Sequence, residues 1–247
     1  MSGHSKWANI KHKKEKTDAQ KGKIFTKIGR ELAIAVREGG PDPATNGKLR
    51  DVVAKAKANN MPNDNIQRSI KKASGEGGNV NYEEIRYEGY GVGGAAIIAD
   101  VVTDNRNRTA AEIRYIFDRN GGSLGATGCV AWMFDRKGVI VVEMRDDLDP
   151  DEMMMMALDA GAEDVQEMEG ALEVTTDPAE FSAVREKLEE MGLMLLEAEI
   201  SMLPQNTVAL EGENAETFAR LIELLEDHDD VQDVFHNADL PEEPEEE

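Results

Sequence analysis

The sequence predicts an α+β protein that combines a small helical domain with two mixed α/β domains. Three observations support this prediction. Apolar residues recur with a helical period over the first 75 residues, and strand-like and helix-like segments alternate after residue 80. An Asp-Pro-x-Glu motif, which is typical of helix starts, occurs at both Asp149 and Asp177. The chain therefore divides into an N-terminal helical part and a longer α/β part.

Three helices are predicted in the helical part. Residues 23–36 place Phe25, Ile28 and Leu32 on one stripe, and the Gly39-Gly40-Pro41 run ends that helix. Similar apolar spacing predicts helices near residues 46–59 and 63–74. A glycine-rich linker follows. We expect a three-helix bundle and a basic N-terminal arm, together spanning residues 1–79.

The middle of the α/β part shows the order β-α-β-β-α-β, which defines a ferredoxin-like unit. Its elements are a strand at 138–143, a helix from Asp149 to Gly161, a hairpin of strands 163–168 and 171–175, a helix from Asp177 to about Met191, and a strand at 193–201. All six elements lie inside residues 136–203, which we predict to be one domain.

The flanking segments resemble a second ferredoxin-like unit that is interrupted by the first. The predicted elements are strands at 82–88, 95–102 and 128–134, a helix at 106–119, a strand at 207–211, a helix at 214–228 and a strand at 231–236. We therefore expect a split domain formed by residues 80–135 and 204–237. Residues 238–247 are predicted to be an acidic tail.

Charge is distributed very unevenly along the chain. Residues 1–79 contain 17 Lys and Arg against 8 Asp and Glu, whereas residues 80–247 contain 11 against 42. A basic region on an acidic body favours a nucleic-acid partner. The alternative is that the acidic residues only maintain solubility and the basic residues form an ordinary solvated surface.

The basic residues form three groups that are candidates for nucleic-acid binding. The arm combines lysines with an aromatic side chain that can stack on a base, although Trp7 could also dock the arm onto the bundle. Basic side chains also share one face of the first helix, and others lie on the outer face of the third, where they could enter a groove or contact only phosphates. The predicted binding residues are Lys6, Trp7, Lys11, Lys13, Lys14, Lys23, Lys27, Arg30, Arg68, Lys71 and Lys72.

The motifs that suggest catalysis have simpler structural explanations. Residues 89–94 resemble a dinucleotide-binding motif, but a β-type run follows them, so we predict a hairpin turn. Asp104 is interpreted as a helix cap rather than a magnesium ligand, and Cys129 as a buried thiol in a strand. The glycine-dense residues 121–128 could either bind phosphate through backbone N–H groups or form a flexible loop. We therefore expect no catalytic residue, no metal and no cofactor, and a protein that is not an enzyme.

Several motifs together resemble the YebC family over nearly the whole chain. They include Gly3-His-Ser-Lys-Trp-Ala-Asn9, Lys23-Ile-Phe-Thr-Lys-Ile28, Asn59-Asn-Met61, Tyr87-Glu-Gly-Tyr-Gly91, Asp104-Asn-Arg-Asn-Arg-Thr109, Gly161-Ala-Glu-Asp164 and Asp230-Val-Gln-Asp-Val-Phe-His-Asn237. The resemblance implies a helical N-terminal domain followed by two α/β domains, one inserted in the other. It also implies a non-enzymatic cytoplasmic factor. Bacterial members are labelled probable transcriptional regulators with DNA binding, and related mitochondrial translational activators act at the ribosome.

These observations together predict a nucleic-acid-binding regulator of gene expression. Its expected partner is ribosomal RNA or DNA, with the ribosome as a further candidate. The arm suits RNA better, since phosphate contact and stacking dominate RNA recognition. No apolar run approaches the roughly 20 residues needed to cross a bilayer, so we expect a cytoplasmic protein with no membrane partner. No dimerisation stripe is visible, so a monomer is expected. The alternatives are an acidic protein-interaction scaffold and a metal-dependent nuclease.

Overall fold

The computed structural model of this protein describes residues 18–76, 81–145 and 147–241. These ranges contain seven α-helices and ten β-strands. The helices are α1 Asp18–Gly39, α2 Gly47–Ala58, α3 Asn63–Lys71, α4 Arg106–Arg119, α5 Pro150–Ala160, α6 Phe181–Glu190 and α7 Gly212–Asp227. The strands are β1 Glu83–Tyr90, β2 Ala96–Thr103, β3 Ser123–Leu124, β4 Phe134–Glu143, β5 Asp164–Met168, β6 Ala171–Thr176, β7 Leu195–Pro204, β8 Val208–Ala209, β9 Val231–His236 and β10 Ala238–Asp239. None of these helices combines the length and the apolar character that a bilayer-spanning helix requires.

Helices α1 to α3 form the predicted three-helix bundle around their own apolar core. Ile28, Leu32, Leu49 and Ile66 are among its most deeply buried residues. Buried Asn46 caps α2 by accepting a hydrogen bond from the Leu49 N–H, and its amide donates to backbone carbonyls at the end of α1. The third helix ends at Lys71, earlier than predicted, because a wider turn through residues 72–76 follows it.

The inserted domain has the predicted ferredoxin-like fold. Its antiparallel sheet has the order β5-β6-β4-β7, and α5 and α6 pack on it through one apolar core. Asp149 caps α5 by accepting from the Asp151 N–H at 2.9 Å. The prediction of the same device at Asp177 was wrong in detail. The Asp177 carboxylate accepts from the Ala179 N–H in a turn, and α6 begins only at Phe181.

The outer domain is also ferredoxin-like, but its strands are not all the predicted ones. Its sheet has the order β3-β1-β2-β9, which places the N-terminal strand β1 where the inserted domain has β6. The predicted strand at 128–134 was wrong, because residues 128–133 form turns and a short 3₁₀ helix, and β4 begins at Phe134. The strand predicted at 207–211 is the short β8, which pairs with β10 outside the main sheet. The predicted tail therefore begins later than 238, since Ala238 is buried.

The glycines between β1 and β2 form the hairpin turn that the sequence predicts. Gly93 has a φ of 73°, which favours glycine, whereas Gly91 has an ordinary φ of −88°. A Cβ atom on Gly91 would lie 2.6 Å from ring atoms of Phe218 in α7. Close packing against α7, rather than a cofactor, therefore explains the glycine at this position.

The two α/β domains are joined by a shared apolar cluster. Ile98 and Phe235 of the outer domain pack there with Phe134 and Met202 at the ends of β4 and β7. The core of the inserted domain, in contrast, contains only residues from β4, from β7 and from the segment that connects these two strands. The exact domain limits remain a prediction.

We expect residues 134–204, expressed alone, to fold cooperatively, because that span contains all six elements and the whole of their core. Urea denaturation followed by circular dichroism measures this. A control fragment that ends at residue 192 lacks β7, the edge strand that pairs along most of β4, and should not fold. A non-cooperative transition in the longer fragment would contradict the insertion.

Candidate nucleic-acid interface

The outer face of α3 carries exposed basic side chains. Ile66 and Ile70 are buried in the bundle, and this fixes the rotation of the helix so that Arg68, Lys71 and Lys72 are exposed to solvent. These cations lie at the C-terminal end of α3 and just beyond it, while Asp64 occupies the first turn. The position suits contact with phosphates better than reading of base edges, which helix-turn-helix proteins perform with the start of the helix.

The basic face of α1 contacts the C-terminal end of α7 in the outer domain. Lys23 Nζ lies 2.9 Å from a carboxylate oxygen of Asp227, and Lys27 Nζ donates to the Glu226 carbonyl at 2.7 Å. Arg30 donates to the Asp229 carbonyl at 2.8 Å. Lys23, Lys27 and Arg30 are therefore brought together as predicted, but against an acidic surface of the protein itself.

Arg30 also reaches a buried carboxylate, Asp230, which organises this junction. The Asp230 side chain is 4% exposed and accepts from Arg30 at 2.6 Å. Within the outer domain it also accepts from Arg108 at 2.8 Å, Thr109 at 2.6 Å and Thr103 at 3.1 Å. Burial alone would raise the pKa of Asp230, but the hydrogen bonds from Thr109, Arg108 and Arg30 outweigh it and hold the pKa well below its usual range.

Asp230 thus connects two motifs that lie far apart in the sequence. Arg108 and Thr109 belong to the Asp104–Thr109 motif, and Asp230 begins the Asp230–Asn237 motif. Asn105, not the predicted Asp104, caps α4 by accepting from the Arg108 N–H. Asp104 forms an ion pair with Arg108 at 3.0 Å. The sequence does not show the role of Asp230, because its hydrogen-bond partners lie more than 100 positions away and are brought to it only by the tertiary fold.

Within the described residues, one group of side chains has the spacing of a metal site. Ligand atoms of Glu112, His228 and Asp230 lie within 4.8 Å of one another. However, His228 is already bonded to Glu112 at 2.9 Å, and both Asp230 oxygens accept from guanidinium groups. A cation here would lie beside Arg30 and Arg108, so the cluster is better explained as a structural network.

The glycine-dense loop after β3 binds an anion, and that anion is a carboxylate of the protein. Glu88 on β1 is 2% exposed and accepts hydrogen bonds from the backbone N–H groups of Gly128, Val130 and Ala131 at 2.8–2.9 Å. Burial would raise the pKa of Glu88, but these bonds outweigh it and lower the pKa. Within residues 121–128, which were predicted as a loop or a phosphate site, Glu88 therefore occupies the N–H of Gly128, and the N–H groups of Gly122 and Gly125 donate to backbone carbonyls. Cys129 in this loop is half-buried rather than buried in a strand, and burial raises its pKa.

The helical domain contacts the inserted domain through polar groups as well. Arg50 pairs with Glu186 at 2.8 Å, and the Ser182 hydroxyl donates to Asp51 at 2.6 Å.

An open cleft of about 780 Å³ lies where the three domains meet. Lys55 lines it and pairs with Glu31 at 2.9 Å. Burial alone would lower the pKa of Lys55, but carboxylates from all three domains outweigh it and raise the pKa.

The basic arm lies outside the described residues. Its predicted binding residues, Lys6, Trp7, Lys11, Lys13 and Lys14, therefore stay predictions. Nucleic-acid binding by the other six residues, on α1 and at the end of α3, also stays a prediction.

Comparison with known proteins gives matches over nearly the whole chain. A family model described as the TACO1/YebC protein N-terminal domain matches residues 5–76, and one described as the TACO1/YebC second and third domain matches residues 82–238. A protein of Acetivibrio thermocellus, named a probable transcriptional regulatory protein, is 60% identical over 238 residues, which are 96% of this chain and 98% of that protein. One of Thermoanaerobacter pseudethanolicus with the same description is 56% identical over 246 residues, covering both proteins fully.

A solved structure is similar over its full length. It is the crystal structure of a conserved hypothetical protein from Aquifex aeolicus, with a TM-score of 0.87 and 45% sequence identity. The match covers 98% of this chain and 100% of the other.

Proposed function

This chain belongs to the TACO1/YebC family, and from that premise we propose that it is a non-enzymatic regulator of gene expression that binds nucleic acid through its N-terminal domain. The observation that carries the proposal is the exposed basic face formed by Arg68, Lys71 and Lys72. This face lies on a domain with an excess of basic residues, whereas the rest of the chain is strongly acidic. A polyanion would therefore be attracted to this domain and repelled by the α/β body.

The target we favour is structured RNA of the ribosome. The cations of α3 lie at the wrong end of the helix for base-edge reading in a major groove, and Asp64 in the first turn would repel duplex phosphates. Contacts with phosphates and stacking on an aromatic arm suit folded RNA. Specific DNA binding is the second candidate, because the relatives are named probable transcriptional regulatory proteins.

Competition for the protein distinguishes these two targets. At about 150 mM salt, unrelated duplex DNA in excess should not displace the protein from ribosomes, because non-specific duplex binding is weak at that ionic strength. If a single promoter sequence instead binds at least about a hundredfold more tightly than scrambled duplex, the transcriptional function is correct and the ribosomal one is wrong.

Reversing the charges of Arg68, Lys71 and Lys72 to Glu should abolish most RNA binding. The slope of log affinity against log salt should become shallower by about 2 to 3, because about three phosphate contacts are lost. Filter binding to ribosomal RNA over a salt series measures both quantities. The matched control reverses Arg114, Arg119 and Arg220, which are exposed on the α/β body, and so changes the net charge equally. Equal losses in the two variants would show that only net charge matters.

A further inference from the structure

Polar contacts join the helical domain to the α/β body, and each part has an apolar core of its own, although Ile34 of α1 is 1% exposed and lies outside the helical core. The core around Leu32 and Leu49 contains only residues of the helical domain, from Ile24 to Ala73. By contrast, the two α/β domains share an apolar cluster across their junction. The cleft between the three domains is lined by many charged residues. Separating the helical domain from the body would therefore not divide any of these apolar clusters.

The charged groups at this junction also keep partners on their own side. Asp230 would retain Arg108, Thr103 and Thr109 if Arg30 withdrew. Lys55 would retain Glu31, since both belong to the helical domain. Separation therefore leaves no buried charge unpaired, which is the step that usually makes opening a buried ionic interface costly.

The surface that α1 contacts is chemically similar to a phosphate backbone. The end of α7 and the turn after it present the Asp227 carboxylate and the carbonyl oxygens of Glu226 and Asp229 to three cations. Carbonyl groups at a helix C-terminus carry negative partial charge, which adds to the charge of the acidic side chains. Lys23, Lys27 and Arg30 thus make, within the protein, the contacts that they would make with phosphate oxygens.

We propose that the end of α7 is an autoinhibitory contact, which occupies Lys23, Lys27 and Arg30 until a nucleic-acid backbone displaces it. This inference rests on the proposed function and assigns a regulation to it. In the closed form, in which α1 contacts the end of α7, α3 makes the first phosphate contacts. In the open form, in which the helical domain has separated from the body, Lys23, Lys27 and Arg30 add their own phosphate contacts. Nucleic-acid binding and domain separation therefore favour each other.

The test combines a distance measurement with a pair of charge variants. Donor and acceptor dyes are placed on Lys57→Cys in the helical domain and Glu216→Cys on α7, in a Cys129→Ser background; both sites are exposed. The probe is oligo(U) RNA of about 20 nucleotides, longer than one typical single-strand site. Asp227→Lys removes the ion pair with Lys23 and places two like charges there. Its control, Glu223→Lys, adds the same charge at an exposed position of the same helix.

We expect energy transfer to fall when oligo(U) is added to the protein without charge variants. Energy transfer should also fall without RNA at about 1 M salt, because the screening length is then roughly 3 Å and the ion pairs between the domains are weakened. Asp227→Lys should show low transfer without ligand and should bind oligo(U) about fivefold more tightly than Glu223→Lys does, a factor expected from one altered surface ion pair.

The outcomes separate the two proposals. If oligo(U) binds with unchanged energy transfer, and the two charge variants have equal affinities, the autoinhibitory contact is wrong while nucleic-acid binding stands. If no variant binds oligo(U) or ribosomal RNA, even when low transfer shows that the domains have separated, both proposals are wrong.

Discussion

Replacing Glu88 by Ala should lower the free energy of unfolding by about 3–5 kcal/mol, because one buried and two partly buried backbone N–H groups lose their acceptor. These donors lie in the loop after β3, so the loop that carries Trp132 should lose its fixed conformation. Urea denaturation at pH 7 measures the change in stability. The matched control is Glu83→Ala, at an exposed position of the same strand, which should change the stability by less than about 0.5 kcal/mol.

The effect of Glu88 should also depend on pH in a defined direction. The pKa of Glu88 is lowered in the folded protein. Its contribution is therefore fully present above the unfolded pKa of about 4.3 and is lost as the pH falls through the folded value. The stability difference between the wild type and Glu88→Ala should shrink as the solution is acidified below about pH 4. A difference that is constant with pH would mean that the charge of Glu88 does not bind the loop.

Replacing Asp230 by Ala should be similarly destabilising, by about 2–4 kcal/mol. The substitution removes the acceptor shared by Arg30, Arg108 and two buried threonine hydroxyls. Arg108 is partly exposed and can be hydrated again, so the main loss comes from Thr103, Thr109 and Arg30. Thermal and urea unfolding both report this loss.

The neighbouring residue provides a close control for Asp230. Asp229 is exposed, and Arg30 contacts it only through its backbone carbonyl. Asp229→Ala should therefore change the stability by less than about 0.5 kcal/mol. If the two substitutions have equal effects, the network around Asp230 does not hold the junction together.

The inserted domain shows how much of this fold local patterns can specify. Its six elements follow from apolar periodicity, from Asp149 and Pro150 at the start of α5, and from Gly161 just beyond its end. These signals act between residues that are close in the sequence, so they are visible without the fold. The order of elements then leaves few ways to pair four strands, and the ferredoxin-like topology was predicted correctly.

The outer domain shows where such reasoning stops. The sequence pattern predicted a strand at 128–134. In the structure, β1 occupies the place in the sheet that β6 occupies in the inserted domain, although β1 comes first in its domain and β6 comes third. Residues 128–131 are instead held in a turn by Glu88, about forty positions earlier in the chain. A carboxylate that binds a distant loop has no signature in either segment alone, since the bond exists only after the sheet has formed.

The sequence by itself determined the two kinds of domain, the insertion, and the separation of a basic helical part from an acidic body. It also placed Lys23, Lys27 and Arg30 on one face of α1. Only the tertiary structure decided what that face contacts, and it brought the acidic end of α7 and Asp230, just beyond it, within hydrogen-bond distance. The physical reason is that a basic helical face suits solvent, phosphate and carboxylate equally well. Which of these partners the face contacts depends on the tertiary packing, which here brings together residues about 200 positions apart in the chain.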